Sequence, residues 1–391
     1  MKLRTLDDLD VSGRRVLLRA DLNVPLSGRA IADDLRIRAT LPTLNELLER
    51  GATQVIACSH LGRPKGAPNA ELSLAPVAGR LSELLGHDVP LAPTPTGPAP
   101  EGSRVVLLEN LRFDPGEEGN DPAFARKLAA LADSYVDDAF GAVHRTHASV
   151  VAIAGMLPCA AGRLLEREVV VLSRLLESPD RPYVAVVGGA KVADKLSVLA
   201  NLLPRVDRLL IGGGMCFTFL AAKGYGVGRS LLEKDQIDDV ASLMGTAGGK
   251  LMIPTDVVVA PEPKPGVQKR IVPADEIPSD LAGYDIGKET SRAYVDAIRA
   301  AKTVFWNGPM GVFEVDDFAS GTRAVAAAIA RGNCYSVVGG GDSAAALQRF
   351  GYAQEIDHIS TGGGASLEFL EGKTLPGLVP LQEGFDPASS R

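Results

Sequence analysis

Val184-Ala185-Val186-Val187-Gly188-Gly189-Ala190-Lys191 carries four consecutive apolar residues straight into a glycine-rich turn that ends on a lysine. Apolar residues on successive positions belong to a strand covered on both faces, as in a parallel sheet between helices. Glycines at its end tolerate positive φ and let backbone N–H groups come close to an anion. The pattern recurs through the second half: Leu209 to Ile211 before Gly212-Gly213-Gly214, Val304 to Trp306 before Asn307-Gly308-Pro309, Val337-Val338 before Gly339-Gly340-Gly341-Asp342-Ser343, and His358 to Ser360 before Gly362-Gly363-Gly364. Leu251 to Ile253 is a further apolar run. In the first half, Arg15 to Leu18, Val55 to Ala57, Val105 to Leu108 and Tyr135 to Asp137 are strands of the same kind. They run instead into Arg19-Ala20-Asp21-Leu22-Asn23, Ser59-His60-Leu61-Gly62-Arg63, Glu109-Asn110-Leu111-Arg112 and Asp138 through Arg145. Guanidinium forks in such loops suit a small, strongly anionic molecule. Parallel sheets take ligands beyond the carboxyl ends of their strands, where both sets of loops fall.

The strand runs alternate with stretches of helical period, so the expected fold class is α/β, with parallel sheets flanked by helices. A chain of 391 residues exceeds one ordinary hydrophobic core, which predicts two domains. Between Gly162 and Ser178, Leu164, Leu165, Val169, Leu172, Leu175 and Leu176 recur at helical spacing, and Pro179 and Pro182 follow. A helix ending in a proline-punctuated connector makes a domain junction, so the expected division is 1–172 and 173–374. The segment 375–391, with Pro376, Gly377 and Pro380, has weak periodicity and reads equally as a frayed tail or a strap packed on a domain.

Lys and Arg number 41 against 48 Asp and Glu, a formal charge of −7, which argues against a general nucleic-acid or anionic-membrane binder. Any anion site is therefore a local concentration of positive charge. Cys58, Cys159, Cys216 and Cys334 are scattered in apolar surroundings without a C-x-x-C pair, which predicts buried thiols in a reducing cytoplasm. No apolar run reaches membrane-spanning length, and the first residues turn acidic before any apolar core of a signal peptide. Gly248-Gly249-Lys250 lacks the earlier glycine of a P-loop, and Gly224 to Gly228 does not directly follow a strand as a dinucleotide fingerprint must. His144 and His147 are three apart and lack further ligands, so they do not make a metal site.

Taken in order, Asp21-Leu22-Asn23-Val24-Pro25-Leu26, Ser59-His60-Leu61-Gly62-Arg63-Pro64, Glu109-Asn110-Leu111-Arg112-Phe113, Asp138-Ala139-Phe140-Gly141 with His144-Arg145, Gly188-Gly189-Ala190-Lys191-Val192-Ala193-Asp194-Lys195, Trp306-Asn307-Gly308-Pro309, Gly340-Gly341-Asp342 and Thr361-Gly362-Gly363-Gly364-Ala365-Ser366 resemble phosphoglycerate kinase. The match covers nearly the whole chain, and its weight lies in eight blocks in order rather than in any one. The resemblance implies two Rossmann-like domains joined by a hinge helix, the first for 3-phosphoglycerate or 1,3-bisphosphoglycerate, the second for Mg-ADP or Mg-ATP. It also implies that the C-terminal tail returns to the first domain. The implied activity is reversible phosphoryl transfer between 1,3-bisphosphoglycerate and ADP, by a cytoplasmic monomer.

By resemblance, Asp21 and Asn23 hold the triose hydroxyl, His60, Arg63, Arg112 and Arg145 surround the non-transferring phosphate, Ser59, Leu61 and Gly62 belong to the same substrate site, and Arg36 faces the reacting end. Gly189, Ala190, Lys191 and Lys195 fall around the nucleotide phosphates. Gly212 and Gly213 fall in the adenine pocket, and Asn307, Gly308, Val312 and Glu314 along the base and ribose. Asp342 is the implied Mg²⁺ carboxylate, a single one sufficing beside phosphate oxygens and water. Ser343 stands where the family commonly has Thr and keeps the hydroxyl. Arg36, Lys191 and the amides of Gly340, Gly341, Gly362, Gly363 and Gly364 become the candidates for stabilising the transferring group. Two rivals are carried: another carboxylate kinase, and a non-catalytic nucleotide-binding protein on the same fold. The set His60, Arg63, Arg112 and Arg145 disfavours the first; Arg36 with Lys191 disfavours the second.

Overall fold

The computed structural model describes residues 1–98, 100 and 102–385. The chain divides within one helix into two compact units, Met1–Val170 with Thr374–Arg391, and Val171–Lys373. The first is built on a five-stranded sheet in the spatial order Val105–Leu107, Gln54–Cys58, Arg15–Arg19, Ser134–Asp137, Cys159–Ala161, parallel throughout. Strands succeed each other outward in one direction as far as Val105–Leu107, then the chain returns to the other side of Arg15–Arg19. The loops that follow Arg19 and Asp137 thus diverge around a crevice at the switch point. Val16, Leu18, Val55, Val105 and Val136 face one common core with Ile37, Leu44 and Leu81 from the helices Leu35–Glu49 and Ala75–Leu85. The edge strand Cys159–Ala161 is absent from the sequence-based expectation, because three small residues carry no β-branched signal.

The second unit repeats the plan with six parallel strands, ordered Leu251–Met252, Arg208–Ile211, Tyr183–Val187, Thr303–Asn307, Tyr335–Gly339, His358–Ile359. Its switch point lies between Tyr183–Val187 and Thr303–Asn307, which places Gly188–Lys191 beside Asn307–Pro309. Trp306, fully buried, packs with Val184, Val186, Val304, Tyr294 and Ile298. This unit also carries an antiparallel three-stranded sheet, Arg270–Pro273, Asp256–Ala260 and Ala282–Ile286, so the expectation of parallel sheets alone is incomplete. Arg270–Pro273 is mostly exposed, and its sequence lacks the consecutive apolar positions that mark the buried strands.

The expected junction helix runs from Arg163 to Glu177. Its first amides are met by side chains rather than water: Asp138 Oδ1 accepts from the N–H groups of Leu164 at 2.9 Å and Leu165 at 3.2 Å, and Thr43 Oγ1 from Arg163 at 2.8 Å. Arg163 adds paired bonds to Glu46 and to Asp7. The tail lies on the first unit, with Leu375, Leu378 and Leu381 buried, Gly377 N–H bonded to Val143 O, and Arg4 N–H to Leu381 O. Residues 386–391 of the tail lie outside the described residues. Cys58, Cys159 and Cys216 are buried, whereas Cys334 is only half-buried, a departure from the expectation of four buried thiols. Among the described residues no helix is long and apolar enough to cross a membrane.

Candidate active site

In the first unit the loops after Arg19, Cys58, Leu107 and Asp137 are bolted to one another, and the bolts explain several residue choices. Ser59 Oγ donates to Ala20 O at 2.8 Å and accepts from Leu22 N–H at 2.9 Å; it is fully buried, so it holds loops together. Asn23 Oδ1 accepts from Gly62 N–H at 3.0 Å, which ties the Arg19–Asn23 loop to the Ser59–Arg63 loop. Asn110 donates to both Leu61 O and Leu72 O, and Arg112 to Gly62 O at 2.8 Å. Gly62 sits at φ +60°, and a Cβ there would lie 2.7 Å from Leu72 Cδ2.

Asp21, almost buried, is ion-paired with half-buried Arg36. A Cβ on Gly141 would lie 2.3 Å from Asp21 Oδ2, so Gly141 leaves room for that pair. Burial, then Arg19, Arg112 and Arg36, push the His60 pKa well below its ordinary value, and the ring is neutral at physiological pH. Arg19 Nη2 lies 3.2 Å from His60 Nδ1. Because a guanidinium only donates, Nδ1 is the acceptor and Nε2 carries the proton, which makes His60 a neutral N–H donor. Arg63 and Arg145 are exposed; Arg112, depressed by burial, lies within electrostatic reach of Arg145. Among the described residues no group of three or more His, Cys, Asp or Glu side chains is placed to hold a metal ion, and burial lowers the His147 pKa to about 3.

In the second unit a cavity of about 600 Å³ opens at the switch point. Gly189, Ala190, Gly213, Val312, Glu314 and Asp342, all expected nucleotide residues, line it together with Phe217, Leu231, Gly283, Tyr284 and Asp285. The glycine loops are spent largely on one another. Gly188 N–H bonds Asn307 O, Gly189 N–H bonds Pro309 O, Gly212 N–H bonds Val187 O and Gly213 N–H bonds Met310 O, all between 2.9 and 3.0 Å. These four amides are taken by backbone carbonyls, and a Cβ at Gly188 or Gly213 would meet neighbouring backbone, so interlocking loops are one reason for glycine there, while Gly189 and Gly213 also line the cavity. Gly340 and Gly341 open the helix Gly341–Phe350, and a Cβ on Gly341 would meet nothing within 4 Å. Gly363 precedes the helix Gly364–Leu370, and Gly362 N–H is taken by Ser360 Oγ; Gly362, Gly363 and Gly364 do not line the cavity.

Lys195 Nζ donates to Gly188 O at 2.7 Å and Asn307 Oδ1 at 2.6 Å, and Gly308 N–H donates to Ser343 Oγ at 2.6 Å. Burial lowers the Lys195 pKa to about 8 against the opposing pull of Asp342 and Asp194. Lys191 and Asp342 are exposed. Arg19, Asp285 and Glu233 were not among the expected site residues. Asp285, its carboxyl pushed up to about 7 by burial, accepts from Gly321 and Ile286 N–H, and no local motif marks such a role. Arg19 ends the strand Arg15–Arg19, and a strand-end arginine does not reveal which side chain it will meet.

The family model described as "Phosphoglycerate kinase" matches residues 6–373. The phosphoglycerate kinase of Salinispora tropica is 58% identical, covering 98% of this chain and 100% of its own length. That of Deinococcus radiodurans is 53% identical, covering 97% and 94%. Among solved structures, phosphoglycerate kinase from Coxiella burnetii superposes with a TM-score of 0.89 at 43% identity, over 97% of this chain and 98% of that one. The enzyme from Pyrococcus horikoshii OT3 gives 0.84 at 34% identity over the same shares.

Proposed function

The chain belongs to the phosphoglycerate kinase family, and from that premise we propose that the basic cluster of the first unit binds the triose while the cavity of the second binds the nucleotide. The activity is reversible transfer of a phosphoryl group between 1,3-bisphosphoglycerate and ADP, giving 3-phosphoglycerate and ATP. The observation that supports the division of labour is positional: each cluster lies at the switch point of its own sheet, and every triose candidate falls in one unit and every nucleotide candidate in the other.

Both nucleophiles of this reaction, a carboxylate and a phosphate oxygen, are anions at neutral pH, so no side chain has to remove a proton. The site's work is to align the oxygens and stabilise charge on the transferring group. His60, as a neutral N–H donor, Arg63, Arg112 and Arg145 hold the fixed phosphate; Arg36, steered by Asp21, serves the reacting end; Lys191 and Lys195 serve the nucleotide phosphates. One exposed carboxylate at the cavity rim, Asp342, matches the appetite of Mg²⁺ for one or two carboxylates plus phosphate oxygens and water. Bound there, the ion would offset phosphate charge. With donors divided between units, we propose that transfer occurs when the units close about the Arg163–Glu177 helix.

The decisive assay couples ADP release to a reporter. Purified protein is expected to consume ATP only with 3-phosphoglycerate and Mg²⁺ present, and 2-phosphoglycerate, which offers its phosphate at the wrong carbon, is expected to support almost none. Equal rates with the two trioses would reject the assignment of the basic cluster.

The Lys195 ammonium gives a pH prediction. Phosphate binds the charged form, which predominates below about 8 and is lost above it. KM for ATP is therefore expected to rise several-fold between about pH 7 and about pH 9.5, while Lys195→Arg, whose guanidinium stays charged, flattens the rise. A KM that is flat for the unsubstituted protein over that range would exclude Lys195 as a phosphate donor.

A further inference from the structure

Glu233 lies on the segment between the helices Cys216–Ala222 and Ile237–Thr246, outside every motif the sequence displays. Its Oε2 accepts hydrogen bonds from two consecutive backbone N–H groups, those of Val192 and, at 3.3 Å, Ala193. These amides open the turn Val192–Lys195, closed by Lys195 N–H on Val192 O, that leads into the helix Leu196–Leu202. Immediately before them stands Lys191, exposed and therefore free of packing that would fix its direction. Glu233 is itself anchored, its own N–H donating to Thr218 Oγ1 at 3.3 Å. Thr218 is buried in the helix that follows Gly212–Gly214.

Two features give this carboxylate more than a packing role. Bonds from backbone N–H to an ionised acceptor are about twice as strong as neutral ones, so the pair fixes the backbone on the C-terminal side of Lys191. On the N-terminal side, Gly189 N–H bonds Pro309 O and Met215 N–H bonds Gly189 O. Lys191 thus stands on a short arch clamped at both ends. Val192, whose side chain is fully buried, is held by its amide as well. Without Glu233 the outer clamp is lost and the lysine's base can turn, although no residue of the cavity wall has changed.

We infer that Glu233 is a positioning residue for phosphoryl transfer: it clamps the Val192–Ala193 amides and thereby aims Lys191 at the nucleotide phosphates. The inference rests on the proposed role of Lys191, and the test separates the two. In Glu233→Ala, kcat/KM for ATP is expected to fall about tenfold, as for loss of a hydrogen-bonded charged acceptor, with KM for 3-phosphoglycerate within twofold of its starting value. Glu233→Gln keeps an acceptor oxygen and is expected to recover most of the loss, which a volume effect alone would not predict. Placed on Lys191→Ala, Glu233→Ala is expected to cost less than a further twofold, because the group it aims is gone. The same tenfold cost in that background, or an equal rise in both KM values, would overturn the inference. Lys191→Ala retaining full kcat would instead remove the role given to Lys191, and is read separately. Thermal melts of all four proteins, with kcat taken per folded molecule, keep a folding defect from passing as a positioning one.

Discussion

Replacing Arg36 by alanine is expected to lower kcat by about 10²–10³-fold, equivalent to about 3–4 kcal/mol of barrier, as for removal of a donor that meets charge developing in the transition state. The substitution has a second consequence that must be separated from the first. Arg36 is the ion-pair partner of Asp21, whose side chain is only 4% exposed, and stripping the partner from a buried carboxylate destabilises the fold by up to about 3–5 kcal/mol. A destabilised protein has fewer folded molecules, but each still turns over at its own rate, so kcat is measured on protein shown to be folded by its melt. Arg36→Lys keeps a cation for Asp21 while losing the planar fork. It is expected to regain most of the stability and little of the rate. Arg63→Ala supplies the contrast: it removes a donor to a phosphate that does not react, so the loss is expected in KM for the triose with kcat nearly kept. If Arg36→Ala keeps kcat within about threefold once folding is accounted for, Arg36 does not serve the reacting end.

The two-sheet plan was legible because a doubly covered parallel strand writes itself as consecutive apolar residues, and Tyr183–Val187 and Thr303–Asn307 are buried along their whole length. Loops at the strand ends were legible too, because glycine and arginine are conspicuous there. What the sequence conceals is which partner each polar side chain takes. Ser59 stands among the substrate candidates, and nothing local reveals that its hydroxyl bolts two loops together; Glu233 stands in no motif, yet it holds two amides. Such bonds join residues 37 and more positions apart, beyond the reach of any periodicity. The antiparallel strand Arg270–Pro273 was concealed for a different reason. Exposed strands need no apolar run, and β propensity is weak without burial.

The glycines carry the sharpest distinction between appearance and cause, and Gly308→Ala tests it. Gly308 has φ +91°, and a Cβ there would lie 2.3 Å from Gly188 O, 2.5 Å from Gly188 C and 2.8 Å from Lys195 Nζ. Two of those atoms are backbone, so no side-chain rotation relieves the overlap. Positive φ costs a non-glycine residue about 1–2 kcal/mol, and forcing a methyl into a filled site adds about 1–3 kcal/mol. Relief requires Gly188 to retreat, which breaks the bond from its N–H to Asn307 O and displaces Lys195 from Gly188 O and Asn307 Oδ1. The expected result is a loss of about 2–5 kcal/mol in stability with nucleotide binding reduced by more than tenfold. Triose binding, which draws on the other unit, is expected to be unchanged. Gly248→Ala separates the contributions: φ is +54° there, but nothing lies within 4 Å of the added Cβ, so it bears the backbone cost alone and leaves the nucleotide site untouched. Gly341→Ala, with neither positive φ nor a close neighbour, is expected to melt within a degree or so of the unsubstituted protein. Calorimetric ADP titrations and thermal melts on the three variants decide the matter. A Gly308→Ala protein that melts like Gly248→Ala and binds ADP normally would mean that the loops give way at little cost, and that the interlocking does not require glycine at position 308.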